Sequence, residues 1–201
     1  MQKKTKDWSD VTLRQAQELI EIKEITDPGL LEIEVETLSV LLNIDPVEIE
    51  NWTPETILSE FAKYSFLDKL PGERSDKTFK VLGKTYVQVP FNEYSVAQMV
   101  DIEEWVADGL IPNLHKILTR MYHPGKRNWK GKWIPGEYVR DEAIEEAFRD
   151  LPMDLVYGLS LFFYRIVTGY LHNLKDSLME TAKHQMMTMI QSSLEEEQLT
   201  K

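Results

Sequence analysis

Apolar positions recur at three- and four-residue intervals along most of this chain, which is the pattern of amphipathic helices. Near the N-terminus the pattern predicts a helix over roughly Val11–Lys23, capped by Ser9 or Asp10. Further helix starts are marked where Asp or Thr precedes Pro, because such a residue caps a helix and Pro suits its first turn. These starts are Asp27-Pro28, Asp45-Pro46 and Thr53-Pro54. The first third of the chain is therefore predicted to be a cluster of short helices.

A different pattern, that of a β-hairpin, occurs at residues 79–89. Two β-rich runs flank Gly83-Lys84, and Gly at the first turn position suits a two-residue hairpin turn. An isolated two-stranded hairpin is marginal in water, so we expect it to pack on helices or to gain strands from a partner. After it, Ser95 and Gln98 have the spacing of a capping box and begin another helix.

The last third of the sequence again predicts helix, and over a longer stretch. From Met153 onward apolar residues recur at three- and four-residue steps, as in a buried face or a helix–helix interface. This stripe comprises Leu155, Leu159, Phe162, Phe163, Ile166, Tyr170, Leu174 and Leu178. The predicted fold class is mainly α: a helical bundle of short helices with one inserted β-hairpin and a long C-terminal helix.

We divide the chain into four parts that together form one compact domain. Residues 1–68 are the N-terminal helical unit, and residues 78–122 are the hairpin with its helices. Residues 123–138 are an exposed basic and Trp-containing loop, and residues 139–198 are the C-terminal long-helix region. A chain of 201 residues with 42% hydrophobic content is sufficient for a sizeable core.

The predicted loop at 123–138 is the segment most typical of a binding surface. Up to Glu137 it contains four cations, two Trp residues and no acid. Trp and Arg dominate the energetics of protein interfaces. The candidate partner-binding residues are Lys126, Arg127, Trp129, Lys130, Lys132 and Trp133. Three roles remain open for them: stacking on nucleic acid, docking on an acidic protein groove, or folding back onto the acidic helices of the same chain.

Composition restricts these roles. The chain has 23 Lys and Arg against 34 Asp and Glu, a net charge of −11, so general nucleic-acid binding is not expected. The basic N-terminal residues lead into no apolar segment of a signal peptide. The apolar stretch at 155–167 is too short and too polar to span a bilayer. We therefore expect a soluble protein with no membrane partner.

The sequence contains no complete catalytic motif of the kinds considered below. Gly83-Lys84-Thr85 lacks the first Gly of a phosphate-binding loop at the required spacing. Asp176, Glu180 and His184 fall on one face of a predicted helix, but the second Glu-x-x-His motif of a carboxylate-bridged metal bundle is missing. The sequence has no Cys, so thiolate metal ligands and disulfides are excluded. We predict no catalytic residues, no cofactor and no metal site.

The stretch Leu38–Trp52, with the sequence LSVLLNIDPVEIENW, resembles a segment of the tail assembly chaperones of tailed bacteriophages. There a leucine-rich helix is followed by a small loop and an acidic, Pro-containing turn. A short Gly-Lys-x-Tyr hairpin commonly lies beside that helical unit, and Gly83-Lys84-Thr85-Tyr86 is similar to it. The later run at 151–163 looks like helices of phage structural-module proteins.

This resemblance implies a small, acidic, non-enzymatic protein of phage morphogenesis that acts in the host bacterial cytoplasm. Chaperones of this kind bind tail components, including the long tape-measure protein, before the tail tube polymerises. The alternative is a stoichiometric structural protein of the virion, associated with the connector, neck or tail. The implied partners are phage structural proteins, and a homo-oligomer is also left open.

Overall fold

The computed structural model describes residues 6–23, 25, 28–72, 74, 76, 78–138 and 140–160. The helices are α1 (Leu13–Lys23), α2 (Glu32–Leu42), α3 (Pro46–Glu50), α4 (Pro54–Phe61), α5 (Val96–Ala107), α6 (Leu114–Met121) and α7 (Glu142–Phe148). The strands are β1 (Thr78–Val81), β2 (Lys84–Gln88), β3 (Tyr122–Arg127) and β4 (Trp133–Pro135). Short 3-10 helices lie at Trp8–Asp10, Ala62–Asp68 and Phe91–Glu93, and residues 153–160 are also helical.

The four strands form one antiparallel sheet in the order β1-β2-β3-β4. The prediction of a helical bundle with a single inserted hairpin is therefore wrong. The hairpin expected near residues 79–89 is present, but it supplies only half of the sheet. Its turn consists of Leu82 and Gly83, both with positive φ (47° and 75°), and so lies one residue earlier than predicted.

The segment predicted as a loop at 123–138 supplies the other half of the sheet. In β3, His123 pairs with Val87 and Pro124 pairs with Tyr86 of β2. The sequence of β3 contains Pro, Gly, Lys and Arg and has no alternation of apolar and polar residues, so no local pattern marks it as a strand. Its extended form depends on pairing with a strand that is distant in sequence.

Short helices α1 to α4 form the N-terminal part. Helices α2 to α4 and the following 3-10 helix share a core of Val35, Leu38, Ile49, Ile57 and Tyr64, whereas α1 contributes Ala16, Leu19 and Ile22 to a second cluster. The predicted starts at Asp45 and Thr53 are confirmed, because each side chain caps its helix. The start predicted at Asp27-Pro28 is wrong, since α2 begins at Glu32. Helix α1 is capped by Thr12, whose Oγ1 accepts a hydrogen bond from the Gln15 amide at 3.2 Å, and not by Ser9 or Asp10.

An aromatic cluster joins the sheet to α7. Phe79 stacks on Tyr86 with ring centroids 6.0 Å apart, and Phe148 meets both rings edge-on at 5.6 and 5.0 Å. Tyr122 lies 5.1 Å from Phe79. Buried aromatic pairs in these orientations contribute beyond their buried area, so this cluster holds both hairpins against α7.

The chain divides into two compact units, Met1–Leu159 and Ser160–Lys201. The first unit is closed by its own ends: the Leu13 amide donates to the Leu151 carbonyl at 2.9 Å, and the Met153 amide donates to Val11 at 2.8 Å. Leu155 and Leu159 of the predicted C-terminal stripe are buried. The remainder of that stripe, and the predicted long C-terminal helix beyond residue 160, lie outside the described residues.

Candidate protein-binding site

The predicted site residues lie on one hairpin, formed by β3, β4 and the connection 128–132. Asn128 organises this connection, because its Oδ1 accepts hydrogen bonds from the backbone amides of Lys130 and Lys132 at 3.0 and 2.9 Å. The Gly131 amide donates to the Asn128 carbonyl at 2.9 Å. Gly131 has φ of 73°, a conformation that Gly adopts at little cost. The tip is therefore a defined turn that holds its side chains in place.

Trp129 is the most exposed aromatic side chain of this tip. It is 89% exposed, and its ring contacts the Lys130 ammonium, which lies 4.6 Å from the ring centroid. Burying such a ring against a partner removes a large apolar area from water. Trp129 thus has the exposure and the chemistry of an interface anchor.

Trp133 has a different position from Trp129. It is half-buried in β4, and its Cε3 would lie 3.1 Å from a Cβ placed on Gly125 of β3. The Arg127 guanidinium lies over its outer side, 5.0 Å from the ring centroid. Trp133 therefore packs within the sheet, so the two Trp residues of the predicted site differ in their surroundings.

The positive charge of the tip is available to a partner. Lys126, Arg127, Lys130 and Lys132 are all exposed. None of the ion pairs between described residues involves these four cations. Of the three roles considered from the sequence, folding back onto the acidic helices is not seen within the part of the chain that the structure describes.

The base of the hairpin is held by a buried polar cluster that the sequence did not indicate. Arg120 is 2% exposed and pairs with Asp101 at 2.7 Å. Its guanidinium lies between the rings of Trp105 and Tyr138, 5.0 and 4.0 Å from their centroids. Arg120 Nη1 has no hydrogen-bond partner among the described residues, yet its burial leaves no access for a ligand from solvent. We assign this cluster a structural role.

His123 continues the same cluster into β3. Its Nε2 lies 3.2 Å from Gln98 Nε2, and its Nδ1 lies 3.1 Å from the Gly136 carbonyl. Gln98 donates to Nε2, so the neutral ring carries its proton on Nδ1 and donates to Gly136. Burial lowers the pKa of His123, although the carbonyls of Gly136 and Arg120 partly oppose this effect. The ring ties the α5 start to the strand β3.

A second exposed surface, which the sequence analysis missed, lies on the outer side of α5. Val96 is 81% exposed and Val100 is 53% exposed, although both belong to an apolar pattern that normally marks a core face. The available signal was the spacing of Val96, Val100 and Ala107, which places them on one side of a helix. The buried residue of α5 is Ile102, on the opposite side.

The structure gives two further findings on chemistry. Among the described residues no three His, Cys, Asp or Glu side chains lie close enough together to hold a metal ion. The predicted face of Asp176, Glu180 and His184 lies outside those residues. In the described part of the chain, no helix combines the length and the apolar character needed to cross a membrane.

No protein-family model, curated protein or solved structure matches this chain.

Proposed function

We propose that this chain is a non-enzymatic assembly protein of tailed phages that acts as a tail assembly chaperone in the host bacterial cytoplasm. The observation that carries the binding role is the exposure of Trp129 at the tip of a defined hairpin. The phage context rests on the resemblance of Leu38–Trp52 and of Gly83-Lys84-Thr85-Tyr86 to segments of those chaperones.

The structure of the tip favours a role in binding a partner. Its turn is fixed by the hydrogen bonds of Asn128, so little conformational freedom is lost when a partner binds. Trp is the residue type most enriched among energetically dominant interface residues. An exposed Trp on a hydrogen-bonded turn can therefore bind an apolar pocket of a partner with little loss of conformational entropy.

The charge distribution favours an acidic partner. Four exposed cations lie between residues 126 and 132 of a chain whose net charge is −11. Because the remainder of the chain is net negative, it disfavours the approach of an acidic protein, and the cations of the tip favour approach there. This pattern suits selective contact with one end of the molecule and disfavours general nucleic-acid binding.

The proposal is tested by co-expression with the tape-measure protein of the same phage. The chaperone should raise the soluble fraction of that protein and co-purify with it. Trp129→Ala should abolish both effects while leaving the melting temperature nearly unchanged. Leu82→Ala, which truncates an exposed apolar residue at the other hairpin tip, is the matched control and should retain both. Retention of binding by Trp129→Ala would overturn the role of the tip.

A second measurement separates the chaperone from a virion component. Quantitative proteomics of purified phage particles should not detect the chain, because an assembly chaperone leaves before the particle is complete. A fixed copy number per particle would overturn the chaperone role and would assign the chain to the connector, neck or tail structure.

A further inference from the structure

The outer side of α5 carries an apolar stripe that no described residue covers. Val96 and Val100 are mostly exposed, and Ala107 is exposed on the same side. Residues four and seven positions apart lie on one side of a helix, so these three side chains lie along one line, with Glu103 between Val100 and Ala107. Val96 and Val100 are therefore adjacent exposed apolar residues, and exposed apolar side chains that group together beside polar ones are typical of a contact surface.

Two carboxylates belong to this surface, Glu103 within the stripe and Glu104 beside it. Glu103 and Glu104 are both exposed, and neither forms an ion pair with another described residue. The neighbouring Asp101 differs, because Arg120 already occupies it at 2.7 Å. The α5 surface therefore combines an apolar line with two negative charges that have no cation assigned to them within the described part of the chain.

The hairpin tip has the complementary properties. Trp129 offers an exposed apolar ring, and Lys130 and Lys132 beside it carry positive charge. A Trp ring lying on Val96 and Val100 would remove apolar area of both surfaces from water. The flexible lysine side chains then have carboxylates within reach. The 89% exposure of Trp129 shows that it does not reach α5 of its own chain.

We propose that the tip of one copy docks on the α5 stripe of a second copy, so that the chain associates with itself head to tail. The two surfaces differ, so each copy can use its tip once and its α5 once, and the contact is heterologous. The small size of both surfaces predicts a weak association that depends on protein concentration. This inference goes beyond the proposed function, because it assigns α5 a role and makes self-association compete with the tail partner for Trp129.

Sedimentation velocity of the full chain over a range of concentrations is the first test. The weight-average mass of the wild type should rise with concentration. Trp129→Ala removes the anchor and Val100→Lys places a cation in the acceptor, so each variant alone should remain monomeric. Leu82→Ala and Val47→Lys change exposed apolar residues elsewhere, with Val47 64% exposed, and both should associate like the wild type.

Mixing the two defective variants is the decisive step. Trp129→Ala retains an intact α5, and Val100→Lys retains an intact tip, so an equimolar mixture should form a one-to-one dimer and nothing larger. A mixture that stays monomeric overturns the proposal, and so does a wild type that is monomeric throughout. Association that survives Val100→Lys would assign another surface, on this chain or on a different partner, and would equally overturn it.

The variants also distinguish this proposal from the chaperone role. Val100→Lys should lose self-association and retain binding to the tape-measure protein, whereas Trp129→Ala should lose both. Circular dichroism should show unchanged helix content in each variant, since both side chains are exposed. Ala107→Lys provides a second acceptor variant with the same expected loss if Val100→Lys alters the fold.

Discussion

Arg120 is a cation held almost entirely out of water, and single-residue energetics at the hairpin base depend on it. The cost of removing this charge from water is offset by the Asp101 carboxylate and by the faces of the Trp105 and Tyr138 rings. A buried ion pair is costly when one partner alone is removed, because the other charge remains without compensation. Asp101, in contrast, is partly solvated, with 36% of its side chain exposed.

We expect Asp101→Asn to lower the free energy of unfolding by about 3 kcal/mol, because it leaves the Arg120 guanidinium buried without a counter-charge. Urea denaturation provides the measurement. The double variant Asp101→Asn with Arg120→Met should lose less free energy of unfolding than Asp101→Asn alone, since no buried charge remains. A double variant that loses the sum of the two single effects would show that the pair is not coupled.

Gly158 is a second residue whose role is visible only in three dimensions. A Cβ at this position would clash with the carbonyl oxygen of Arg74 and would lie 2.9 Å from its carbonyl carbon. The backbone of Arg74 therefore lies in direct contact with the helix at 153–160. The Arg74 guanidinium also lies 3.6 Å from Asp154.

Replacement of Gly158 by Ala should therefore destabilise the fold by about 1–3 kcal/mol, the usual cost of overpacking. In an exposed helix the same change is favourable by about 1 kcal/mol, so the sign of the effect identifies the contact. Gly72→Ala is the control, because nothing lies within 4 Å of its added Cβ. A thermal melt in which Gly158→Ala is as stable as the wild type would mean that the Arg74 segment shifts freely.

Among the elements, those defined by local chemistry were predicted from the sequence and those defined by distant pairing were not. The Asp45 and Thr53 caps and the Ser95–Gln98 capping box each involve neighbouring residues, so their sequences suffice. Strand β3 contains Pro, Gly and exposed cations, and β4 is only three residues long and ends in Pro135. These strands exist because β3 pairs with β2 and β4 pairs with β3. No window of neighbouring residues contains that information.

The same division applies to the candidate site. Charge and Trp content drew attention to six residues that the structure places on one hairpin, because composition is a local property. The difference between exposed Trp129 and packed Trp133 depends on the sheet. The uncovered stripe on α5 has the spacing of an ordinary core face, so only the positions of the neighbouring elements show that it is exposed.

The β1–β2 turn gives a prediction at this scale. Leu82 has φ of 47° followed by Gly83 with φ of 75°, the two positive values of a type I′ turn, for which Asn-Gly is strongly preferred. Leu82→Asn should therefore stabilise the protein by about 0.5–1 kcal/mol, with no loss of packing because Leu82 is exposed. Leu82→Val should lower the melting temperature, since β-branched residues resist this conformation; a rise would contradict the turn assignment.

At the scale of the larger unit, buried Gln17 joins α1 to the turn before α6 and to the residue that ends α7. Its Nε2 donates to the carbonyls of Ile111 and Pro112 at 2.8 and 3.0 Å, and its Oε1 accepts from Arg149 at 3.1 Å. The Nδ1 of His115 lies 3.5 Å from the same Nε2. The Gln17 amide thus connects α1 with the turn before α6 and with the end of α7, and the His115 ring lies beside it.

Burial lowers the pKa of His115 to about 4, and the nearby Arg149 and Lys116 add to the effect. The unfolded chain takes up a proton at this residue below about pH 6.5, whereas the folded chain resists it down to about pH 4. Stability from this group is therefore complete above pH 6.5 and is lost on acidification, by at most about 1.4 kcal/mol per pH unit. The free energy of unfolding, measured by urea denaturation at several pH values between 7 and 4, should fall less steeply with decreasing pH for His115→Asn than for the wild type. Equal slopes would contradict the assignment to His115.

The closure of the first unit by its own ends has a consequence for synthesis on the ribosome. Arg14 and Asp150 are ion-paired but 136 residues apart in sequence, and the amides of Leu13 and Met153 join the same two regions. A chain emerges with its N-terminus first, so Val11 and Leu13 remain without their native cover until nearly the entire unit has been made. Pairing across such a separation is entropically slow. The segment at 11–13 thus leaves the ribosome before the rest of this unit and is among the last parts of it to be completed. Any product terminated before residue 149 keeps the apolar side chains of Val11 and Leu13 without their native cover.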